Sequence, residues 1–151
     1  MTASLDLPVA DPELSEAVRI GLAAVEARLG TAVEQSDRLA DDASRHLITA
    51  GGKRVRPMLT LLAAQLGDAS NPEIVDAAAV VELTHLATLY HDDVMDSAPL
   101  RRGAPAAHEV WGNTVAILTG DLLFARASRI CLLYTSPSPR DQRGSRMPSS
   151  A

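Results

Sequence analysis

Apolar residues recur at helical spacing along this chain, in segments that are separated by proline, glycine or asparagine. Asp11-Pro12-Glu13 is typical of a helix start, and a stripe of leucine and valine then continues to Gly30, where the first helix is expected to end. A more polar second helix is expected from about Thr31 to Ala50. The third helix is expected to start near Pro57, and its apolar residues on almost every side predict burial among other helices.

Two further helices are predicted in the second half of the chain. Asn71-Pro72-Glu73 repeats the helix-start pattern, and the helix after it can continue to about Asp96, a length of roughly 40 Å at about 1.5 Å per residue. A loop with proline and glycine at 99–105 follows, then a short segment through Trp111 and a last helix capped by Asn113. Because alanine and leucine dominate and strand-forming runs are missing, we predict an all-α fold with little or no sheet.

The chain changes character at Cys131, after which serine, proline and arginine replace the apolar periodicity. We therefore expect the helix to stop there and divide the chain into an N-terminal extension at 1–10, a domain at 11–130 and a tail at 131–151. A natural disordered tail is one interpretation. We prefer a second, in which the tail is translated adapter or vector sequence and the natural protein continues differently beyond Ile130.

Composition and charge exclude several classes of protein. A formal net charge of -5 argues against a general nucleic-acid binder, which would carry a basic face. The longest apolar runs have five residues, far fewer than a bilayer requires, and the first 18 residues hold no secretory signal. A single cysteine, Cys131, excludes an internal disulfide, so we expect a cytoplasmic protein.

Three aspartates lie at the end of the fourth predicted helix, in LATLYHDDVMD at residues 86–96. Successive helical residues are about 100° apart, so Asp92 and Asp96 share a face while Asp93 points about 100° away from Asp92. The negative end of the helix dipole makes three acids unfavourable there without a cation. Mg²⁺ prefers such oxygen ligands, although a solvated helix end with incidental charges is the alternative.

Two basic clusters accompany the aspartates. Lys53, Arg54 and Arg56 occur in GGKRVRP at a helix start, where free N–H groups and the helix dipole favour an anion, and Arg101-Arg102-Gly103 directly follows the aspartates. Each cluster alone could be a solvated basic turn. One acidic metal site together with two basic sites fits an enzyme with two diphosphate substrates.

Four motifs in this order resemble the trans-type isoprenyl diphosphate synthases, or polyprenyl synthetases: GGKRVRP, ELTHLATLYHDDVMD, LRRG and GNTVAILTGDLLFARAS. The resemblance covers most of 11–130 and implies an antiparallel helix bundle around a central cavity. It also implies a Mg²⁺-dependent condensation of isopentenyl diphosphate with an allylic diphosphate, by a homodimer of the full-length protein.

The resemblance assigns a role to each matching residue. Asp92, Asp93 and Asp96 would bind the allylic diphosphate through Mg²⁺, and Arg101 would hold the same substrate. Isopentenyl diphosphate would be bound by four residues, namely Lys53, Arg56, His85 and Arg102. Without the resemblance, a histidine such as His85 would more often be a core residue with satisfied hydrogen bonds than a ligand. Arg54 has no assigned role and is expected to be solvated.

Product length is expected to depend on Ala87 and Thr88, the fifth and fourth residues before Asp92. Both are small, whereas family members with short products often have aromatic residues there, so we predict a medium- or long-chain product. The family's second aspartate-rich motif does not occur in these 151 residues, and we expect the chain alone to be inactive and poorly folded.

Three other functions are compatible with parts of the pattern. Terpene cyclases also use DDxxD, but they do not need the basic residues assigned to isopentenyl diphosphate. Accessory subunits of heteromeric prenyl synthases tend to lose the aspartates, which are intact here. A helical interaction module would carry these charges incidentally and would not bind diphosphates with Mg²⁺.

Overall fold

The computed structural model describes residues 11–135 as five helices and one short hairpin. The helices are α1 (Pro12–Val33), α2 (Arg38–Thr49), α3 (Val55–Ala64), α4 (Glu73–Met95) and α5 (Ala107–Thr135). The hairpin pairs β1 (Leu100–Arg101) with β2 (Ala104–Pro105). The all-α prediction is confirmed, with two-residue strands as the only sheet in this part of the chain. The predicted extension at 1–10 and residues 136–151 lie outside the described residues.

The first two helices differ from the prediction at their shared boundary. Asp11 caps α1 as expected, since its Oδ1 accepts from the backbone N–H of Glu13 at 2.9 Å. The helix then continues through Gly30 to Val33, because burial of Ala32 and Val33 outweighs the roughly 1 kcal/mol that a helical glycine costs. The second helix consequently begins after Asp37, whose Oδ1 accepts from Ala40 N–H at 2.9 Å.

The burial of α3 and the end of α5 differ from the prediction, whereas a predicted break in α5 is confirmed. In α3, Leu59 is 57% exposed, and Leu66 just beyond the helix is 94% exposed, so its apolar residues are not buried on every side. In α5, the predicted break is confirmed at Gly112, which has a non-helical φ of 83°. The helix does not stop at Cys131 but continues to Thr135, since Ile130 still packs into the core.

The fourth helix is the centre of the domain and packs against α1, α3 and α5. It runs antiparallel to α5, because His91 near its end contacts Asp121, whereas Glu73 and Asp76 at its start lie close to Tyr134 near the end of α5. Its buried Tyr90 donates a hydrogen bond to the carbonyl of Ala43 on α2. No helix within residues 11–135 is both long enough and apolar enough to span a bilayer.

The hairpin after α4 places two arginines against the rest of the domain. Arg102 and Gly103 form its two-residue turn with φ of 54° and 80°, the positive values that such turns require. This turn directs Arg101 to the end of α4 and Arg102 to the loop between α2 and α3.

Candidate functional site

The acidic end of α4 is partly neutralised by the hairpin. Asp93 is 1% exposed, and its Oδ1 accepts a 2.6 Å hydrogen bond from Nε of Arg101. This pairing raises the pKa of the Arg101 guanidinium, mainly through the hydrogen bond to Asp93. The other oxygen of Asp93, Oδ2, is buried and has no hydrogen-bond partner. Asp92 is half-buried and Asp96 is exposed as the helix C-cap.

The three aspartates do not form a complete metal cage. No group of three His, Cys, Asp or Glu side chains within residues 11–135 is arranged to hold a metal ion. Mg²⁺ does not require such a group, because it usually keeps several waters and binds one or two carboxylates together with substrate phosphates. The unpartnered Oδ2 of Asp93 and the carboxylates of Asp92 and Asp96, one helical turn apart, provide oxygen donors of that kind. The residues present therefore fit a magnesium ion shared with a diphosphate.

An open groove of about 400 Å³ lies along the outer face of α4. Arg56, at the start of α3, and His85, on α4, line one part of it. The rest of its wall is formed by four small or branched residues, namely Val80, Val81, Thr84 and Thr88. Lys53 is exposed in the loop before Arg56. The groove thus joins a cationic part to a largely apolar part.

The pKa of His85 depends on the charged residues around this groove. Its pKa is lowered from 6.5 first by burial and then by repulsion from Arg56, with a further lowering by Arg102, against the opposite effects of Glu82 and Asp92. Arg56, His85 and Arg102, separated by up to 46 positions in the sequence, are therefore electrostatic neighbours. The structure brings together these predicted isopentenyl diphosphate ligands.

We expect the ring of His85 to titrate below pH 6.5, measured by NMR of the imidazole resonances and assigned with His85→Gln. Because its pKa is lower in the folded than in the unfolded state, the unfolded chain takes up this proton more readily. The group therefore lowers the free energy of unfolding as the pH falls from 6.5 towards the folded-state pKa. A midpoint at or above 6.5 would show that burial and the arginines do not act on this ring.

Arg54 is not solvated, and this corrects the sequence prediction. Its side chain is only 7% exposed, and its Nη1 donates to Oε1 of Glu82 at 2.9 Å. Its Nε and Nη2 bond to Glu26 on α1, and Nη2 also donates to the carbonyl of Ile48 at 3.2 Å. Sequence reasoning missed Glu82, although a lone acid inside the apolar run VVELTHL was a signal of a buried ion pair.

Arg102 is held against the loop that carries Lys53. Its Nη1 donates to the carbonyl of Leu47 at 3.0 Å and also to that of Gly51. A side chain at position 52 would place its Cβ only 2.8 Å from Cζ of Arg102, so Gly52 allows this close approach. Burial and repulsion from Arg54 lower the pKa of Arg102.

Comparison with known proteins decides the family. The sequence model of the polyprenyl synthetase family matches residues 37–143. The chain belongs to the polyprenyl synthetase family. This match continues past Ile130, while the predicted division of the chain at 130 stays a prediction.

Named polyprenyl synthetase relatives support the assignment. The chain is 51% identical over 131 residues to the nonaprenyl diphosphate synthase of Mycobacterium tuberculosis, covering 86% of this chain and 38% of that protein. It is 48% identical over 103 residues to the short chain isoprenyl diphosphate synthase of Methanocaldococcus jannaschii, covering 68% of this chain and 31% of the relative. The chain thus spans well under half of these relatives.

A solved polyprenyl synthase has the same arrangement of helices. The crystal structure of the enzyme from Caulobacter crescentus, complexed with calcium and isoprenyl diphosphate, superposes with a TM-score of 0.77 at 41% sequence identity. The superposition covers 82% of this chain and 38% of that one. Other structural neighbours are isoprenoid synthases too, so the described helices form part of the isoprenoid synthase fold.

Within this polyprenyl synthetase segment, the two residues expected to set product length occupy different environments. Thr88 lines the groove. Ala87 is fully buried, and its carbonyl oxygen would lie 3.2 Å from a Cβ added at Gly120 on α5. Thr88 is therefore the position from which a larger side chain reaches the groove directly.

Proposed function

We propose that the full-length protein carrying this segment is a prenyltransferase that condenses isopentenyl diphosphate with an allylic diphosphate. Its product would be a medium- or long-chain all-trans polyprenyl diphosphate, for example a quinone side-chain precursor. The observation that supports this most strongly is the groove on α4, whose cationic part contains Arg56 and His85 beside the acidic helix end.

The proposed roles divide the charged residues between two substrates. Lys53, Arg56, His85 and Arg102 would bind the diphosphate of isopentenyl diphosphate. Arg101 would bind the allylic diphosphate, together with Mg²⁺ held by the carboxylates of Asp92, Asp93 and Asp96. When bound, Mg²⁺ would supply positive charge that stabilises the departing diphosphate.

The reaction then needs no nucleophilic side chain. The allylic carbon–oxygen bond breaks, the diphosphate leaves with the electron pair, and the double bond of isopentenyl diphosphate attacks the resulting carbocation. A carbon–carbon bond forms and one proton is lost. Cationic side chains favour charge separation, and the apolar wall formed by Val80 and Val81 would keep water from the carbocation.

The 151-residue chain alone is expected to give no turnover. It contains one DDxxD and spans 38% of the nonaprenyl diphosphate synthase of M. tuberculosis. Several apolar side chains are also exposed, including Leu59, Leu66 and Leu118. A chimera that joins residues 1–130 to the remaining C-terminal part of that relative would supply the second motif and cover this surface.

Activity of this chimera tests the proposed function. We expect it to incorporate labelled isopentenyl diphosphate into a polyprenyl product in the presence of Mg²⁺, and to stop when the metal is chelated. A terpene cyclase would instead convert the allylic diphosphate without isopentenyl diphosphate. Homodimer formation and a cytoplasmic location of the full-length protein belong to the same proposal.

Replacing Thr88 with phenylalanine in the chimera is expected to shorten the product, because the aromatic ring would narrow the groove along which the chain extends. Product length is measured by chromatography of the dephosphorylated alcohols. Thr114→Phe, at an exposed position of α5, is the control and should leave product length unchanged. Ala87→Phe should also shorten the product, but overpacking of the core would lower stability by about 1–3 kcal/mol. Unchanged products in both variants would contradict the chain-length assignment.

A further inference from the structure

Glu82 is a buried acid that none of the proposed substrate contacts uses. It lies on α4 one turn before His85, and its side chain is only 3% exposed. Its Oε1 is 2.9 Å from Nη1 of Arg54 and 3.8 Å from Nη2 of Arg102. One buried carboxylate oxygen thus lies between two guanidinium groups from different loops.

The negative charge of Glu82 offsets the repulsion between the two arginines. Repulsion from Arg54 contributes to the lowered pKa of Arg102, and attraction to Glu82 opposes it. Glu26 also compensates Arg54, but it lies on the outer side of that arginine and is 43% exposed. Among residues 11–135, Glu82 is the one acid that contacts both guanidinium groups, and buried charges of this kind depend strongly on their partners.

The contacts of the two arginines hold the N-terminal side of the GGKRVRP loop. Arg54 bonds to the carbonyl of Ile48, and Arg102 bonds to those of Leu47 and Gly51. Lys53 directly precedes Arg54, and Arg56 follows it by two residues at the start of α3, and both cations are exposed. The position of Glu82 therefore affects both the orientation of Arg102 and the backbone that carries the two exposed cations.

We propose that Glu82 is a positioning residue for the isopentenyl diphosphate site, which orients Arg102 and the GGKRVRP loop through its contacts with the two buried guanidinium groups. This inference rests on the proposed function. Glu82 does not touch the substrate, because its carboxylate would repel a diphosphate. Its effect is transmitted by Arg102 directly and by Arg54 through the loop.

Binding of isopentenyl diphosphate to the chimera, measured by calorimetry, tests this role. Glu82→Gln keeps the size and an acceptor oxygen but removes the charge, and we expect it to weaken binding by about tenfold or more. Glu26→Gln is the matched control, because it removes a charge that contacts Arg54 directly but acts on Arg102 only from a distance. It should weaken binding by less than about threefold. Thermal unfolding of both variants shows whether loss of stability alone explains the difference.

The remaining outcomes separate this inference from the proposed function. Equal weakening in the two variants, or unchanged binding in Glu82→Gln, would overturn the positioning role while leaving the diphosphate site in place. Failure of the parent chimera to bind isopentenyl diphosphate would overturn the site itself and the inference with it. If Glu82→Gln does not fold, Glu82→Asp keeps the buried charge but withdraws it by about 1.5 Å. It should then weaken binding, and binding equal to the parent would overturn the proposal.

Discussion

Replacing Asp93 with asparagine in the chimera is expected to lower kcat/KM by about 10²–10³-fold, the loss typical of removing one preorganised charge-stabilising group. The buried carboxylate of Asp93 pairs with Arg101 through one oxygen and leaves the other without a partner. An asparagine cannot balance the charge of Arg101 and is a poorer ligand for Mg²⁺. Steady-state kinetics with varied Mg²⁺ and allylic diphosphate measures the loss.

The control for this variant is Asp42→Asn on the exposed surface of α2. Asp42 lies 3.7 Å from Arg38, and both side chains are more than half exposed. Because exposed ion pairs of this kind contribute little, kcat/KM should stay within about twofold of the parent. Equal activity of the parent and Asp93→Asn would remove Asp93 from the proposed metal and substrate site.

Replacing Arg54 with methionine is expected to lower the free energy of unfolding by about 3–5 kcal/mol, because it leaves Glu82 as a buried charge without its closest partner. A loss of this size is comparable to the whole stability of many domains. Urea denaturation of the chimera, followed by circular dichroism, measures it.

Arg19→Met is the matched control for Arg54. Arg19 also pairs with a glutamate, Glu16, but its side chain is 70% exposed. We expect its unfolding midpoint to equal that of the parent, since water replaces the lost contact. If Arg54→Met shifts the midpoint no more than Arg19→Met, the buried ion pair does not stabilise the fold.

Local chemistry was sufficient to predict most helix starts. Asp11 caps the first helix as expected, and Asn71 Oδ1 accepts from Glu73 N–H at 2.9 Å just before the fourth helix, although the N-cap of that helix is Pro72 and not Asn71. The break at Gly112 also follows from a local preference, since glycine adopts the positive φ that ends a helix. These features depend on a few neighbouring residues, so the sequence pattern alone predicts them.

Features that depend on distant contacts could not be predicted in this way. The continuation of α1 past Gly30 follows from burial of Ala32 and Val33, which depends on where the other helices pack. Leu59 is exposed although its helix is strongly apolar, because the described residues place no helix over that face. Helical periodicity shows which face is apolar but not what covers it.

In the candidate site, too, some features follow from local sequence motifs and others depend on distant contacts. The motifs assign Arg56 and His85 to one substrate, and both side chains line the groove on α4. Arg54 was expected to be solvated because it lies in a short basic run. Its partner Glu82 is 28 residues away, so only the packing of α4 against that loop buries the pair.

A crystal structure of the chimera with isopentenyl diphosphate, an unreactive analogue of the allylic diphosphate, and Mn²⁺ in place of Mg²⁺ tests most directly whether this segment carries the substrate site. We expect the diphosphate of isopentenyl diphosphate to contact Arg56, His85 and Arg102. The anomalous signal of Mn²⁺ should lie beside the carboxylates of Asp92 and Asp96. A diphosphate bound away from the groove, or a metal ion without an aspartate ligand from α4, would contradict the proposed site.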